Sequence, residues 1–226
     1  LGLLLNFYRS EKNYIDPFVP KLTDLYYLYQ SIILNKRITV LEFGSGWSTL
    51  VIILALNELK DKFSSDVKLL GRNSPFEIFV LENKKKYLSI NKNGIKKFYK
   101  HLKIKNSIKI NYHFSEVEMT TFNDRICTQY KKMPVCNPDF IYLDGPNHLS
   151  VNKDINGFST RHKDMMPMIS DILKSEYFYT PGTIIISDGR AANVKFLKDH
   201  FNRKWKYTFE PKYDQHIFFL NDPPLG

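Results

Sequence analysis

The stretch Thr39-Val40-Leu41-Glu42-Phe43-Gly44-Ser45-Gly46-Trp47-Ser48-Thr49 constrains the fold more than any other part of the chain. A run of β-type apolar residues ends at an acid, and a Gly-x-Gly turn follows. Leu50-Val51-Ile52-Ile53-Leu54-Ala55-Leu56 then reads as a buried helix. Strand, glycine turn and helix form the opening unit of a Rossmann-type sheet. The glycines let backbone approach a ligand closely and adopt dihedrals that other residues avoid. A helix starting at Trp47 or Ser48 points its free N–H groups and the positive end of its dipole at that ligand.

The residue types around the turn narrow the ligand. A dinucleotide site wants Gly-x-Gly-x-x-Gly, and the third position here is Thr49, so the signal for NAD is weak. Glu42 lies two residues before Gly44, where its carboxylate would repel a pyrophosphate and favour an ammonium or sulfonium group. S-adenosylmethionine carries both and has no phosphates. The run Leu41-Glu42-Phe43-Gly44-Ser45-Gly46 resembles the first motif of class I S-adenosylmethionine-dependent methyltransferases, hydrophobic-Glu/Asp-x-Gly-x-Gly.

Periodicity supplies the remaining elements. Leu22, Leu25, Tyr29, Ile32 and Ile33 predict a helix over 21–35, which could pack beside the sheet and cover the cofactor. The first strand spans 38–43 and the first helix roughly 48–63, followed by a polar loop at 64–75. Strands are predicted at 77–82, 108–114, 140–143 and 183–187. A basic segment over 84–103 reads as helical in part, with Gly94 as a break. A polar loop through Lys163 precedes a helix from Met165 to Phe178, with Pro167 in its first turn. A helix over 191–202 leads to Trp205–Glu210 and Gln215–Leu220, an antiparallel pair. No repeat, low-complexity tract or second domain is visible.

This order resembles the class I methyltransferase fold over nearly the whole chain. The resemblance implies a Rossmann-like three-layer α/β fold, with a mostly parallel seven-stranded sheet and an antiparallel C-terminal strand pair. It divides the chain into an N-terminal helical extension, 1–36, and a cofactor-binding domain, 37–226.

Composition bounds the partners. With 226 residues, 43% of them hydrophobic, the chain can bury a sizeable core. No apolar run approaches the roughly 20 residues of a membrane span. Leu1-Gly2-Leu3-Leu4-Leu5 is too short for a signal core and lacks a basic lead. Cys127 and Cys136 fit no zinc pattern, and two free thiols suit a reducing cytoplasm, so a cytoplasmic protein is expected. The formal net charge of +10 points toward nucleic acid. Against this, Lys far outnumbers Arg, Ala is scarce, and Asn, Ile, Tyr and Phe are abundant, as an AT-rich genome would produce. The lysines also read as scattered, densest at Lys84-Lys85-Lys86 and Lys96-Lys97 on a solvated helical segment. The balance disfavours a nucleic-acid partner.

Ligands of open α/β sheets bind beyond the carboxyl ends of the strands. Those ends supply Glu42, Gly44, Ser45, Gly46, Glu82, Ser115, Glu116, Asp144 and Asp188. The resemblance assigns Glu82 to the ribose hydroxyls, since one carboxylate can accept both; the alternative is a cap for the next helix, a job open also to Asn83. The expected cofactor-binding set is Glu42, Gly44, Ser45, Gly46, Trp47, Ser48, Glu82, Asn83, Ser115 and Asp144.

Asp144-Gly145-Pro146-Asn147-His148 should lie beside the transferred methyl. It carries neither Asn-Pro-Pro-Tyr nor a nucleophilic Cys, the patterns of base methylation, so a hydroxyl acceptor fits better. Such a transfer needs positioning and proton removal. His148 and Asp144 are the candidate bases, with His162 weaker; Arg161 and Lys153 would orient an anionic or polyol acceptor, or would be solvated loop residues. Catechol-type enzymes hold magnesium with an acid after the fourth strand and Asp-Asn after the fifth; Asp188-Gly189 lacks the amide, so no metal is expected, the alternative being magnesium held by Asp144 and Asp188 with waters. The reading is O-methylation, dependent on S-adenosylmethionine, of a small hydroxylated acceptor or glycan sugar. The alternatives are an RNA methyltransferase and a non-catalytic binding protein on the same fold.

Overall fold

The computed structural model describes residues 2, 7, 20–162, 164–166 and 168–223. The expected beginnings of the chain and of the Met165–Phe178 helix, including Lys163 and Pro167, lie partly outside these residues.

Helix α1 (Leu22–Leu34) buries Leu25, Leu28 and Ile32. Strand β1 (Thr39–Phe43) is buried throughout. Helix α2 (Trp47–Lys68) is followed by β2 (Glu77–Glu82) and helix α3 (Lys85–Leu102). Strand β3 (Lys109–Phe114) leads into a hairpin, β4 (Val117–Phe122) and β5 (Arg125–Tyr130). Then come β6 (Phe140–Leu143), the short β7 (Val151–Asn152), α4 (Asp171–Lys174) and a 3-10 turn at Glu176–Phe178. Strand β8 (Ile184–Asp188), α5 (Ala191–His200), β9 (Trp205–Glu210) and β10 (Gln215–Leu220) complete the order.

Seven strands form one sheet in the order β3-β2-β1-β6-β8-β10-β9. The β1 pairs with β2 and β6 are parallel, as are β2–β3 and β6–β8. Only β10 runs against its neighbours, antiparallel to both β8 and β9. The expected sheet is therefore present, and the expected antiparallel feature resolves to one reversed strand inserted between two that share the common direction.

Because side chains alternate along a strand, the two faces separate cleanly. Val40, Ile78, Val80, Phe140 and Tyr142 pack against α1, α2 and α3. Leu41, Phe43, Phe79, Leu81, Ile141 and Leu143 pack beneath the hairpin, α4 and α5. Asp139 fastens the entrance: its carboxylate accepts the N–H groups of Ile38 and Thr39.

Several expectations need correction. The polar stretch at 64–75 is not all loop, since α2 continues to Lys68. Gly94 does not break α3; it sits buried within a continuous helix. A helix from Met165 to Phe178 is not formed. The Thr128 N–H donates to the Met168 carbonyl, and the Ser170 N–H donates to the Thr128 carbonyl, so this backbone edges β5 instead. The Ile169 N–H is taken by the buried Asn193 side chain. The hairpin was not anticipated at all. It replaces the helix that an alternating α/β order would put between β3 and β6, and it forms a second, three-stranded sheet, β5-β4-β7. Asn123 and Asp124 both have positive φ, the two-residue turn that matches strand twist.

The lysines are not scattered either. Residues 83–115 hold 10 of the 33 basic residues and none of the 23 acids, so the rest of the chain balances at 23 against 23. The whole +10 charge thus resides on α3 and its flanks.

The backbones of β1 and β6 meet most closely where the strands end. A Cβ on Gly145 would lie 2.6 Å from the Gly44 nitrogen and 2.8 Å from the Phe43 carbonyl carbon, both backbone atoms that cannot swing aside. Gly145→Ala should therefore destabilise the fold by about 1–3 kcal/mol or more through overpacking. Urea unfolding checks this, and wild-type stability would contradict the fit.

Candidate active site

The glycine turn sits at the carboxyl edge of the sheet, held from three sides. The Gly44 N–H donates to the Leu81 carbonyl at 2.8 Å, and the Asp144 N–H donates to the Phe43 carbonyl at 3.0 Å. Gly44 has φ +103°, a region that side chains rarely adopt. The Gly46 carbonyl accepts from the Asn91 side-chain amide at 2.8 Å, and the Asn91 oxygen accepts from the Tyr112 hydroxyl at 3.0 Å. Asn91 is buried on α3 and fixes the turn from outside the motif. Sequence reasoning missed it; a polar residue at an inward position of an otherwise apolar helical face was the available signal.

Thr49, which stands where a dinucleotide motif has glycine, has a structural task. Its hydroxyl oxygen accepts the Gly46 N–H at 3.2 Å and its hydroxyl donates to Glu42 at 2.7 Å. The Ser48 hydroxyl donates to the other Glu42 oxygen at 2.5 Å. Glu42 is fully buried, and burial pushes its carboxyl up to about 8; the two hydroxyls pull it down, while Asp144 and Glu82 push it further up. Glu42 and Ser48 thus brace the turn from behind, and their side chains are engaged with each other.

Glu82 sits at the end of β2, buried. It accepts the Ser45 hydroxyl at 2.9 Å and the Lys84 N–H at 2.9 Å, one on each oxygen. The capping alternative is not realised, since Lys84 is the N-cap of α3 and no side chain caps that helix; each Glu82 carboxylate oxygen retains a further lone pair. Burial raises its carboxyl, and these hydrogen bonds lower it.

Other expected residues are engaged elsewhere. The Asn83 amide donates to the carbonyls of Asn147 and Ser150 and accepts the Asn147 N–H, so it pins the loop after β6. The Ser115 hydroxyl accepts the Lys132 N–H, tying β3 to the hairpin's exit. Trp47 is buried against Phe7, with ring centroids 6.2 Å apart.

Asp144 follows β6 beside the turn. Its side chain is 50% exposed at the carboxyl edge of the sheet. Desolvation raises its carboxyl to about 6, the Arg190 guanidinium lowering it and Asp188 and Glu82 raising it. Arg190 donates to the Asp144 carbonyl and lies 3.9 Å from its carboxylate. Asp188 accepts from the Gln215 amide at 2.7 Å. His148 is half-buried, and its imidazole makes no hydrogen bond among the described residues; its carbonyl accepts the Thr160 hydroxyl. His162 is exposed and faces Asp164, and Arg161 pairs with Asp154, both out in the loop. Lys153 pairs with Glu118 of the hairpin at 2.8 Å. No group of three His, Cys, Asp or Glu side chains converges to hold a metal among the described residues.

The buried hydroxyl of Tyr130 on β5 has no hydrogen-bond partner among the described residues, and Glu82, Asp144 and Arg190 lie within electrostatic reach of it. A cavity of about 740 Å³ lined by Arg72, Cys136 and Tyr179 opens at the other, amino end of the strands, away from this chemistry.

No family model matches the chain, and no curated protein does. Solved structures do match. A methyltransferase from Geobacter sulfurreducens aligns over 98% of this chain and 89% of its own, with TM-score 0.52 and 8% identity. Cofactor-bound Rv0187 from MTB aligns over 99% and 91%, with TM-score 0.51 and 9% identity. A candidate O-methyltransferase from Klebsiella pneumoniae aligns over 98% and 91%, with TM-score 0.50 and 12% identity.

Glu42 yields a test that needs no ligand. Its folded value lies above its ordinary 4.5. The proton-bound form is therefore favoured by folding, and that contribution is complete below about pH 4.5 and fades as pH rises through about 8. Glu42→Gln keeps the site neutral, so its melting temperature should fall less than wild type between about pH 4.5 and 8. Parallel melting curves for the two proteins would contradict the assignment. With the strand order, the glycine turn and these alignments in place, the chain has a Rossmann-like α/β fold, shared with solved proteins named as methyltransferases.

Proposed function

We propose that this chain is an S-adenosylmethionine-dependent methyltransferase acting on a hydroxyl of a small molecule or sugar. One observation carries the cofactor assignment. A Cβ on Gly46 would project into open space, its nearest neighbour among the described residues a hydroxyl 4.0 Å away, while a Cβ on Gly44 would meet the Asp144–Gly145 backbone at 3.2 Å. The turn is thus shaped to admit something that is not protein. Near that space stand Glu82 and Asp144, whose carboxylates suit a sulfonium and an ammonium and repel a pyrophosphate, while Glu42, its carboxyl raised to about 8, braces the turn from behind. The solved proteins of this fold named as methyltransferases support the same reading.

When bound, S-adenosylmethionine supplies an electrophilic methyl group. The chain's own residues would do the rest. Glu82 would accept the ribose hydroxyls through its remaining lone pairs. The Gly44–Gly46 backbone would hold the methionine portion. Asp144 would take the acceptor's proton: it is open to the cleft, oriented by Arg190, and raised to about 6, so it is ionised and still basic near neutral pH. His148 is the second candidate for that role, its imidazole being uncommitted to any hydrogen bond among the described residues. Asn83, Ser48, Trp47 and Ser115 would act by positioning the turn and its flanking loops. The compartment expected from the two thiols stays a proposal; both are free, Cys127 buried and Cys136 partly so, and no helix among the described residues is long and apolar enough to cross a membrane.

Calorimetry should show binding of S-adenosylmethionine and S-adenosylhomocysteine. Gly46→Val should abolish it while leaving the melting temperature near wild type, because only ligand space is filled. Glu82→Ala should cost about 1.5–3 kcal/mol of binding. Tight binding of NAD with none of S-adenosylmethionine would defeat the reading.

With labelled cofactor and fractionated host extract, turnover should rise with pH through about 6. Asp144→Asn should lower it by about 10²- to 10⁴-fold with cofactor affinity nearly intact. If His148→Ala produces that loss and Asp144→Asn does not, the base is His148.

A further inference from the structure

We infer that the outer face of α3 is a docking surface for the phosphate backbone of single-stranded RNA, an interaction separate from methyl transfer. Lys85, Lys92, Lys96, Lys100 and Lys103 are all exposed. Offsets of 7, 11 and 15 residues from Lys85 are close to whole numbers of 3.6-residue turns, which aligns Lys85, Lys92, Lys96 and Lys100 along one side of the helix, and Lys103 follows as its C-cap. The row runs about 27 Å, at about 1.5 Å per residue. None of the five forms an ion pair with an acid among the described residues, and α3 contains no acid at all. Elsewhere Lys62, Lys131, Lys153 and Lys195 are each paired to a carboxylate. AT-rich coding explains many lysines; it does not explain a helix from which every acid is missing.

The chemistry favours a linear polyphosphate over other anions. Lysine ammonium groups meet phosphates as point charges, without the bidentate geometry that arginine offers carboxylates. At the amino end of the row, Lys85 lies 4.9 Å from the ring centroid of Phe114, which is 39% exposed at the end of β3. A cation beside an accessible aromatic provides backbone contact and a base-stacking face together. A membrane surface would instead call for a broad apolar face, and among these outward positions the residues are lysine and serine or asparagine.

The test uses the whole protein and a fluorescein-labelled 20-nucleotide poly(U). Anisotropy should show binding at about 50 mM salt that falls steeply by about 200 mM. Replacing all five lysines by Gln should weaken binding at least tenfold and reduce the slope of log K against log salt by about 3.5, from five contacts at about 0.7 each. Phe114→Ala should weaken it about tenfold. A control variant, with Lys62, Lys68, Lys195, Lys198 and Lys206 changed to Gln, carries the same charge reduction and should bind nearly as wild type. Binding of S-adenosylhomocysteine by the stripe variant should be unchanged, which separates this inference from the enzymatic reading. No poly(U) binding at about 50 mM salt, an equal loss in the control variant, or stripe-dependent binding to phosphatidylserine vesicles in place of poly(U) would overturn it.

Discussion

The close approach of two glycines, Gly44 and Gly145, is the contact on which the site depends. With no Cβ between them, the backbone after β1 and the backbone after β6 can touch. That contact sets Asp144 beside the glycine turn and lets the Asp144 N–H donate to Phe43, extending the strand pairing past the sheet edge. The carboxyl ends of the two central strands thereby become the floor of one cleft. Glu42 closes the back of the turn through Ser48 and Thr49, and Asn91 closes its flank. A turn held this way needs little reordering to receive a ligand, so binding energy is not diverted into organising it.

Charge is distributed with equal economy. The cleft gathers Glu42, Glu82, Asp144 and Asp188, and desolvation raises the carboxyl of each. Burial makes each of these charges costly, a cost that a positively charged ligand would offset. The basic excess lies apart, along α3, outside the cleft. The two fields can therefore serve different partners without cancelling.

How much of this was legible in the sequence depended on the range of the signals. The β1 turn and α2 were readable because strand, glycine and helix patterns are consecutive there. Most of the sheet followed from short apolar runs bounded by turns. The hairpin at Val117–Tyr130 escaped, although Val-Glu-Met-Thr alternates and Asn123-Asp124 makes a turn. An alternating β/α order created an expectation of helix that masked it. Residues 168–170 look helical locally, but their backbone is claimed by Thr128 and Asn193, partners 24 to 42 residues away. The loop contacts of Asn83 and Ser115 were not legible for the same reason: each side chain is engaged by a segment distant in sequence. The lysine row went unseen because spacings of 7, 4, 4 and 3 look irregular until wound onto a helix.

The central claim is that the glycine turn, Glu82 and the acids around them form a site for S-adenosylmethionine. A crystal structure with S-adenosylhomocysteine bound tests it most directly. The account predicts ribose hydroxyls on the Glu82 carboxylate, the amino-acid portion against Gly44–Gly46, and the sulfur facing Asp144 across the cleft. Density for the ligand at the amino end of the strands, or a ribose on the carboxyl edge that makes no contact with Glu82, would contradict it.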